Sequence, residues 1–221
     1  MFFDYLFDPQ NWDLARSGNI PELIYQHFWY SVVTVVIAAA IALPVGLYCG
    51  HTGRFAFLAI NIGNAGRALP TLGLMTLLVT LMGLGMMPVF IALVTLAIPA
   101  ILTQTYAGVQ GVDSNITDAA RGMGMRPLQV LLRVEIPVAL PLIFSGIRNA
   151  FLQVIATATV AAYVGVGGLG RLLVDGLALN QYDRVVAGAI LVALVAIAVD
   201  ILTDIIQRYA VSPGLRTQFS R

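Results

Sequence analysis

Long apolar runs leave this chain little choice of fold. Residues 28–50 carry no charge at all, and apolar stretches of similar length recur almost to the C-terminus. A span needs about 20 apolar residues to cross about 30 Å of hydrocarbon. In that medium every backbone N–H and C=O must find a partner within the protein, which favours helices. Only 10% of the residues are charged and 59% are apolar, against about 25% charged in soluble domains. The expected fold class is therefore all-α, a membrane protein of about five transmembrane helices.

The spans are expected at residues 28–50, 55–82, 88–109, 136–164 and 184–207. A polar turn at 51–54 separates the first two. The glycines and proline at 83–88 divide a run too long for one span. Residues 21–30 read as a short interfacial helix, with Trp29 and Tyr30 at an aromatic belt. No basic and apolar leader is seen at the N-terminus, so the first span is expected to direct its own insertion. The chain then divides into an extracytoplasmic segment 1–27, a transmembrane domain 28–208 containing a polar loop 110–136, and a cytoplasmic tail 209–221.

Arginine placement sets the expected orientation. Arg54, Arg121, Arg126, Arg133, Arg208, Arg216 and Arg221 fall on one side, and Arg16, Arg171 and Arg184 on the other with most of the acids. The positive-inside rule puts the first set in the cytoplasm, with the N-terminus outside. All basic residues are Arg, and no Lys occurs. A phosphate-loop lysine and a Schiff-base lysine are both excluded, so any ATP hydrolysis belongs to another chain. The net charge of +1 offers no general attraction to nucleic acid. Cys49 cannot form an intramolecular disulfide, and His27 and His51 lie too far apart to suggest a metal pair; no metal site is expected. A proteolytic site is not seen either: H-E-x-x-H is absent and Ser145-Gly146 lacks a nucleophile motif.

The polar loop contains Asp118-Ala119-Ala120-Arg121-Gly122-Met123-Gly124, nine further residues, and Val134-Glu135-Ile136-Pro137. Asn115 or Thr117 is expected to cap a helix starting near Asp118. Gly122 and Gly124 can end it, and Pro127 suits the start of a second short helix over 127–133. Small Ala119 and Ala120 permit close approach by a partner. Gly165-Val166-Gly167-Gly168-Leu169-Gly170 fits G-x-G-x-x-G, but a span precedes it where a dinucleotide site needs a strand. Its glycines are read as sharp turns and close helix contacts.

Arg67 and Arg148 lie about 17 Å from the inner ends of their spans, at 1.5 Å per residue. Such a charge costs at least about 2.5 kcal/mol on insertion scales. Three readings stand: pairing with Asp200 at similar depth, snorkelling to the interface, or substrate contact. Pro44, Pro70, Pro99 and Pro141 lie inside expected spans, as irregular packing or as hinges.

The loop's spacing resembles the "EAA" loop of ABC-importer permeases, with Asp118 for the usual Glu and Val134 and Ile136 for Ile and Leu. The likeness extends over residues 64–74, 146–149, 156–170 and 188–194, where the chain is similar to permeases of glycine betaine, choline and carnitine importers. Methionine-importer permeases share the loop and the glycine-rich segment, but Ala156-Thr157-Ala158-Thr159 is closer to the osmoprotectant group; Val166 departs from its more common Ala. The resemblance implies a cytoplasmic ATPase-coupling loop comprising Asp118, Ala119, Ala120, Arg121, Gly124, Arg126 and Pro137. It further implies two ABC ATPase subunits carrying ATP and Mg, a second permease copy or paralogue, an extracytoplasmic substrate-binding protein, and no cofactor on this chain. A zwitterion's path would need a polar lining, for which Asn61, Asn64, Thr71, Gln153, Thr157, Thr159 and Tyr163 are candidates. These could equally join helices. An aromatic cage for a cation is not evident and is assigned to the separate binding protein. An autonomous secondary transporter is the rival reading, but no self-similar halves are seen.

Overall fold

The computed structural model describes residues 4–210, without the side chains at 56, 58, 60, 63, 64 and 67. The side chains of Asn64 and Arg67 and the tail 211–221, with Arg216 and Arg221, lie outside the described residues. Helices, turns and connections make up the fold; no strand occurs among the described residues. Four helices are long and apolar enough to cross a membrane: Ile20–Thr52, Met86–Gln110, Pro127–Ala158 and Tyr182–Ala210.

After α1 (Asp4–Phe7) and a 3-10 turn at Pro9–Trp12, α2 runs over Ile20–Thr52. Its early start has a local cause. Asn19 accepts a hydrogen bond from the Glu22 amide at 2.7 Å, and the Glu22 carboxylate accepts from the Gly18 amide at 2.7 Å. These bonds satisfy donors that a helix start would otherwise leave open. The expected interfacial helix at 21–30 is consequently the beginning of α2 and is continuous with the span.

The expected second span is interrupted. Its residues form α3 (Ala56–Ala68) and α4 (Thr71–Met82). Pro70 stands in an extended conformation before α4, at φ −72° and ψ 114°. Proline disfavours helical backbone at the preceding residue, here Leu69, and has no N–H to give. Pro44, Pro99 and Pro141 behave differently and stay inside their helices. Gly83 and Gly85, at φ 87° and 157°, turn the chain into α5 (Met86–Gln110). The polar loop comes next, and then α8 (Ile136–Ala158), a 3-10 turn at Val160–Val164, α9 (Gly170–Ala178) and α10 (Tyr182–Ala210). The fourth expected span thus leaves the α-helix at Ala158, and the glycine-rich connection contains a helix of its own.

The chain forms two compact units. One comprises Met1–Ile37, Leu69–Ala97 and Phe151–Asp200. Its core gathers Met75, Val89, Leu93, Ala158, Ala161 and Val164, beside a second cluster of Ile20, Leu23, Leu169, Leu172 and Leu191. The glycine-rich run is built into this unit. Gly165 and Gly168 take left-handed φ of 82° and 91°. The Gly168 amide donates to the Gln26 side chain at 3.0 Å. Any side chain at Gly170 would meet the Thr159 backbone. These are the tight turns and close contacts expected of the run, and a helix precedes it where a dinucleotide fold needs a strand.

The other unit comprises Ala38–Ala68, Ile98–Ala150 and Ile201–Arg221. Here α2 presents Gly46 and Gly50, one turn apart, to α5. A methyl at Gly50 would stand 2.6 Å from Val109 Cβ, and one at Gly46 2.8 Å from Thr105 Cβ. α5 in turn presents Gly108 to Ala139 and Leu142 of α8, while α8 presents Gly146 to Gln104 and to the Ala100 carbonyl. Small residues at such crossings let helix backbones approach closely, which drives association where lipid supplies no hydrophobic force. Gly50→Ala should therefore destabilise the folded protein by about 1–3 kcal/mol through overpacking, read as a lower unfolding midpoint in detergent. Val109→Ala should recover part of that loss. An unchanged midpoint for Gly50→Ala would contradict the close contact.

Candidate functional site

Within the second unit, the loop between α5 and α8 is organised by its own side chains. Asp113 caps α6 (Ser114–Gly122), its carboxylate accepting from the Asn115 amide at 2.9 Å. The cap is earlier than Asn115 or Thr117, so Asp118 lies within the helix rather than at its start. Thr117 and Ala120 are buried. Asp118, Ala119 and Arg121 are exposed, with Arg121 and Asp118 paired at 3.2 Å. The helix ends in a Schellman motif. The Met125 amide donates to the Ala120 carbonyl at 3.2 Å and the Gly124 amide to the Arg121 carbonyl at 2.9 Å. Gly124 adopts φ +83°, the left-handed geometry this stop requires and that a side chain resists.

The chain re-enters helix at once. Arg126 precedes α7 (Pro127–Val130), and its amide donates to the Gln129 side chain at 2.8 Å. The second short helix expected at 127–133 is not separate. A π-helical turn at Leu131–Glu135 joins α7 to α8 in one apolar helix over Pro127–Ala158. Pro137 accounts for the widened turn: it has no N–H for the Arg133 carbonyl, and its ring crowds that group. The Ile136 amide bonds instead to the Leu131 carbonyl.

This loop exposes side chains of mixed character. Ile116, Met123, Leu128 and Leu132 are 48%, 73%, 64% and 54% exposed, among exposed Arg121, Arg126 and Arg133.

One contact of the loop has no signal in the sequence. Glu135 is buried, and its carboxylate lies 2.6 Å from Nδ1 of His51, on the last turn of α2. A carboxylate can only accept, so with Glu135 ionised Nδ1–H is the donor. Removing one partner would leave the other polar group without its hydrogen bond, at a cost of about 1–3 kcal/mol. In the loop motif Glu135 fills the position between two apolar residues, which the spacing leaves unassigned. Its partner is 84 residues away, and no local pattern reveals it.

The intramembrane arginine that is described, Arg148, lies 3.5 Å from Asp204 on α10. Asp204 also holds Arg208 at 2.8 Å. Asp204 is one turn beyond Asp200 on the same helix. Among the polar residues suggested for a path, Gln153 donates to the Leu96 carbonyl of α5 at 3.2 Å. Thr157 donates to Gln153 and Thr159 to Ala156, within the chain's own backbone. Asn61 donates to the Phe57 carbonyl at 2.6 Å. Thr71 opens α4, and Tyr163 is 60% exposed. Gln153 thus joins two helices, whereas Tyr163 retains a largely open face.

Comparison with known proteins agrees with this architecture. Residues 42–211 match the family described as binding-protein-dependent transport system inner membrane component. The chain is 32% identical over 202 residues to the choline transport system permease protein OpuBB of Bacillus subtilis, covering 91% of this chain and 93% of that protein. It is 37% identical over 195 residues to the carnitine transport permease protein OpuCD of Listeria monocytogenes, covering 88% and 87%. The osmoprotectant import permease protein OsmW of Salmonella typhimurium is 30% identical, with 95% of this chain and 100% of that protein covered. Among solved structures, a chain of the MetNI methionine ABC transporter in an inward-facing conformation superposes with a TM-score of 0.77 at 19% identity, covering 87% of this chain and 96% of that one. That likeness concerns the fold. With its multi-pass helices and its family match across most of its length, the chain belongs to the inner-membrane permease components of binding-protein-dependent ABC transport systems.

Proposed function

We propose that this permease carries a small osmoprotectant of the choline, carnitine or glycine betaine class, powered by ATP hydrolysed with Mg on partner subunits docked at the loop between α5 and α8. The observation that supports the substrate class is identity of 30–37% along nearly whole chains to permeases named for choline, carnitine and osmoprotectant import. The docking reading rests on the loop itself: a capped helix, a glycine stop and exposed apolar side chains among arginines. The arginine distribution supports a cytoplasmic loop and an extracytoplasmic N-terminus, where a substrate-binding protein would deliver its cargo. A core of two permeases, identical or paralogous, completes the assembly. Coupling then requires that the docked loops make different contacts in the two states of the ATPases.

Transport into proteoliposomes, with and without the co-purified ATPase and binding protein, tests this reading across betaine, choline, carnitine, proline and methionine. ATP-dependent uptake of a quaternary ammonium solute is expected; methionine uptake alone would favour the amino-acid importer reading. Uptake without ATPase would favour an autonomous transporter. Gly124→Val should leave membrane insertion intact and abolish ATPase co-purification, because valine resists the left-handed backbone at that position. Full assembly and transport in that variant would contradict docking at the loop.

Arg148 is read as a structural charge held by Asp204, not as a substrate contact. Asp204→Asn should lower the folded yield, and neutralising Arg148 as well should restore part of it, with a coupling of about 0.5–3 kcal/mol. A change confined to substrate affinity, with folding intact, would instead place Arg148 on the path.

A further inference from the structure

Glu135 and His51 form a contact that the transport reading does not use. Among the described residues Glu135 is the one buried carboxylate. It sits on the return limb of the loop, in the widened turn set by Pro137, and reaches the last turn of α2 at 2.6 Å. The outgoing limb is tied to the same helix by other means: Gly46 and Gly50 of α2 bear on Thr105 and Val109 of α5. The two limbs are themselves joined where Gly108 meets Ala139 and Leu142. Both limbs of the loop are therefore fastened to the end of the first long helix, one by steric fit and one by a directional hydrogen bond.

The two fastenings differ physically. Packed glycines resist separation, but such contacts tolerate small sliding movements. A short charge-assisted hydrogen bond is strong and sensitive to geometry, so it fixes the axial and rotational register of the return limb against α2. We propose that His51 and Glu135 are positioning residues that act as a latch, obliging α2 to move with the loop when the ATPases displace it. This proposal rests on the docking reading above. Its consequence is separable from simple stability. Replacing both partners of a buried hydrogen bond by apolar groups can be nearly neutral for folding, but an apolar pair cannot supply the directional link.

The test uses the complete complex, with ATPase and binding protein, in proteoliposomes, and reads solute transported per ATP hydrolysed. His51→Leu with Glu135→Leu leaves no unpaired buried group. We expect it to assemble and hydrolyse ATP within about twofold of the unaltered complex while transport per ATP falls about tenfold or more. His51→Gln keeps an N–H donor and should retain at least about half of the coupling. Normal transport per ATP in the double-leucine complex would overturn the latch. So would a fall in the His51→Gln complex as deep as that in the double-leucine complex. Should the double-leucine chain not assemble, Glu135→Gln decides: it retains an acceptor but loses the charge-assisted bond, and undiminished coupling there would overturn the proposal. Normal ATPase assembly of Gly124→Val would remove the docking reading and the latch together. Intact docking with a fully coupled double-leucine complex would remove the latch alone.

Discussion

Close backbone contact between α2, α5 and α8 underlies the unit that holds the loop. Gly46, Gly50, Gly108 and Gly146 occupy crossings where even a methyl group would press on a neighbour. In a bilayer the alternative to protein contact is lipid, which is as apolar as leucine, so association depends on close fit and hydrogen bonds. That dependence explains why small residues recur at these crossings while larger apolar side chains such as Val36, Ile41 and Ile201 are exposed. It also explains how a loop of about two dozen residues can be held firmly. Its two stems are the ends of helices packed closely against a third.

The loop's internal chemistry is economical. One carboxylate at Asp113 starts α6, one glycine at Gly124 stops it, and one missing N–H at Pro137 widens the turn at the loop's far end. Each device acts through the backbone, leaving the outward side chains free to form a contact surface. The widened turn lies where the loop passes into the long helix. π-Helical turns are frequent at functional positions, and this one carries the carboxylate that reaches α2.

Much of this architecture is legible in the sequence. The long apolar runs around α2, α5, α8 and α10 dictate helices, and the spacing of Asp118, Gly124 and Pro137 marks the loop. Other features are hidden for physical reasons. Pro70 interrupts its helix whereas Pro44, Pro99 and Pro141 do not, although proline removes the same N–H at each position. Asp113 lies just before the residues that a cap near Asp118 would use, and it competes with Asn115 and Thr117, which carry equally good acceptors. Glu135 and His51 each look ordinary in sequence; only the tertiary fold brings them together. The proposed path residues present a similar lesson, because Thr157 and Thr159 satisfy themselves on their own backbone, and composition cannot distinguish such hydroxyls from those that face a solute.

The central claim is that the exposed face of α6 meets the ATPase in the cytoplasm. Cysteine cross-linking from position 119, in a chain with Cys49 replaced, addresses it most directly. In the transporting complex, the account predicts an adduct with the ATPase whose yield changes with nucleotide state, and no reaction of position 119 with an impermeant reagent applied from outside. Labelling from the outside, or an assembled and active complex that yields no adduct in any nucleotide state, would contradict it.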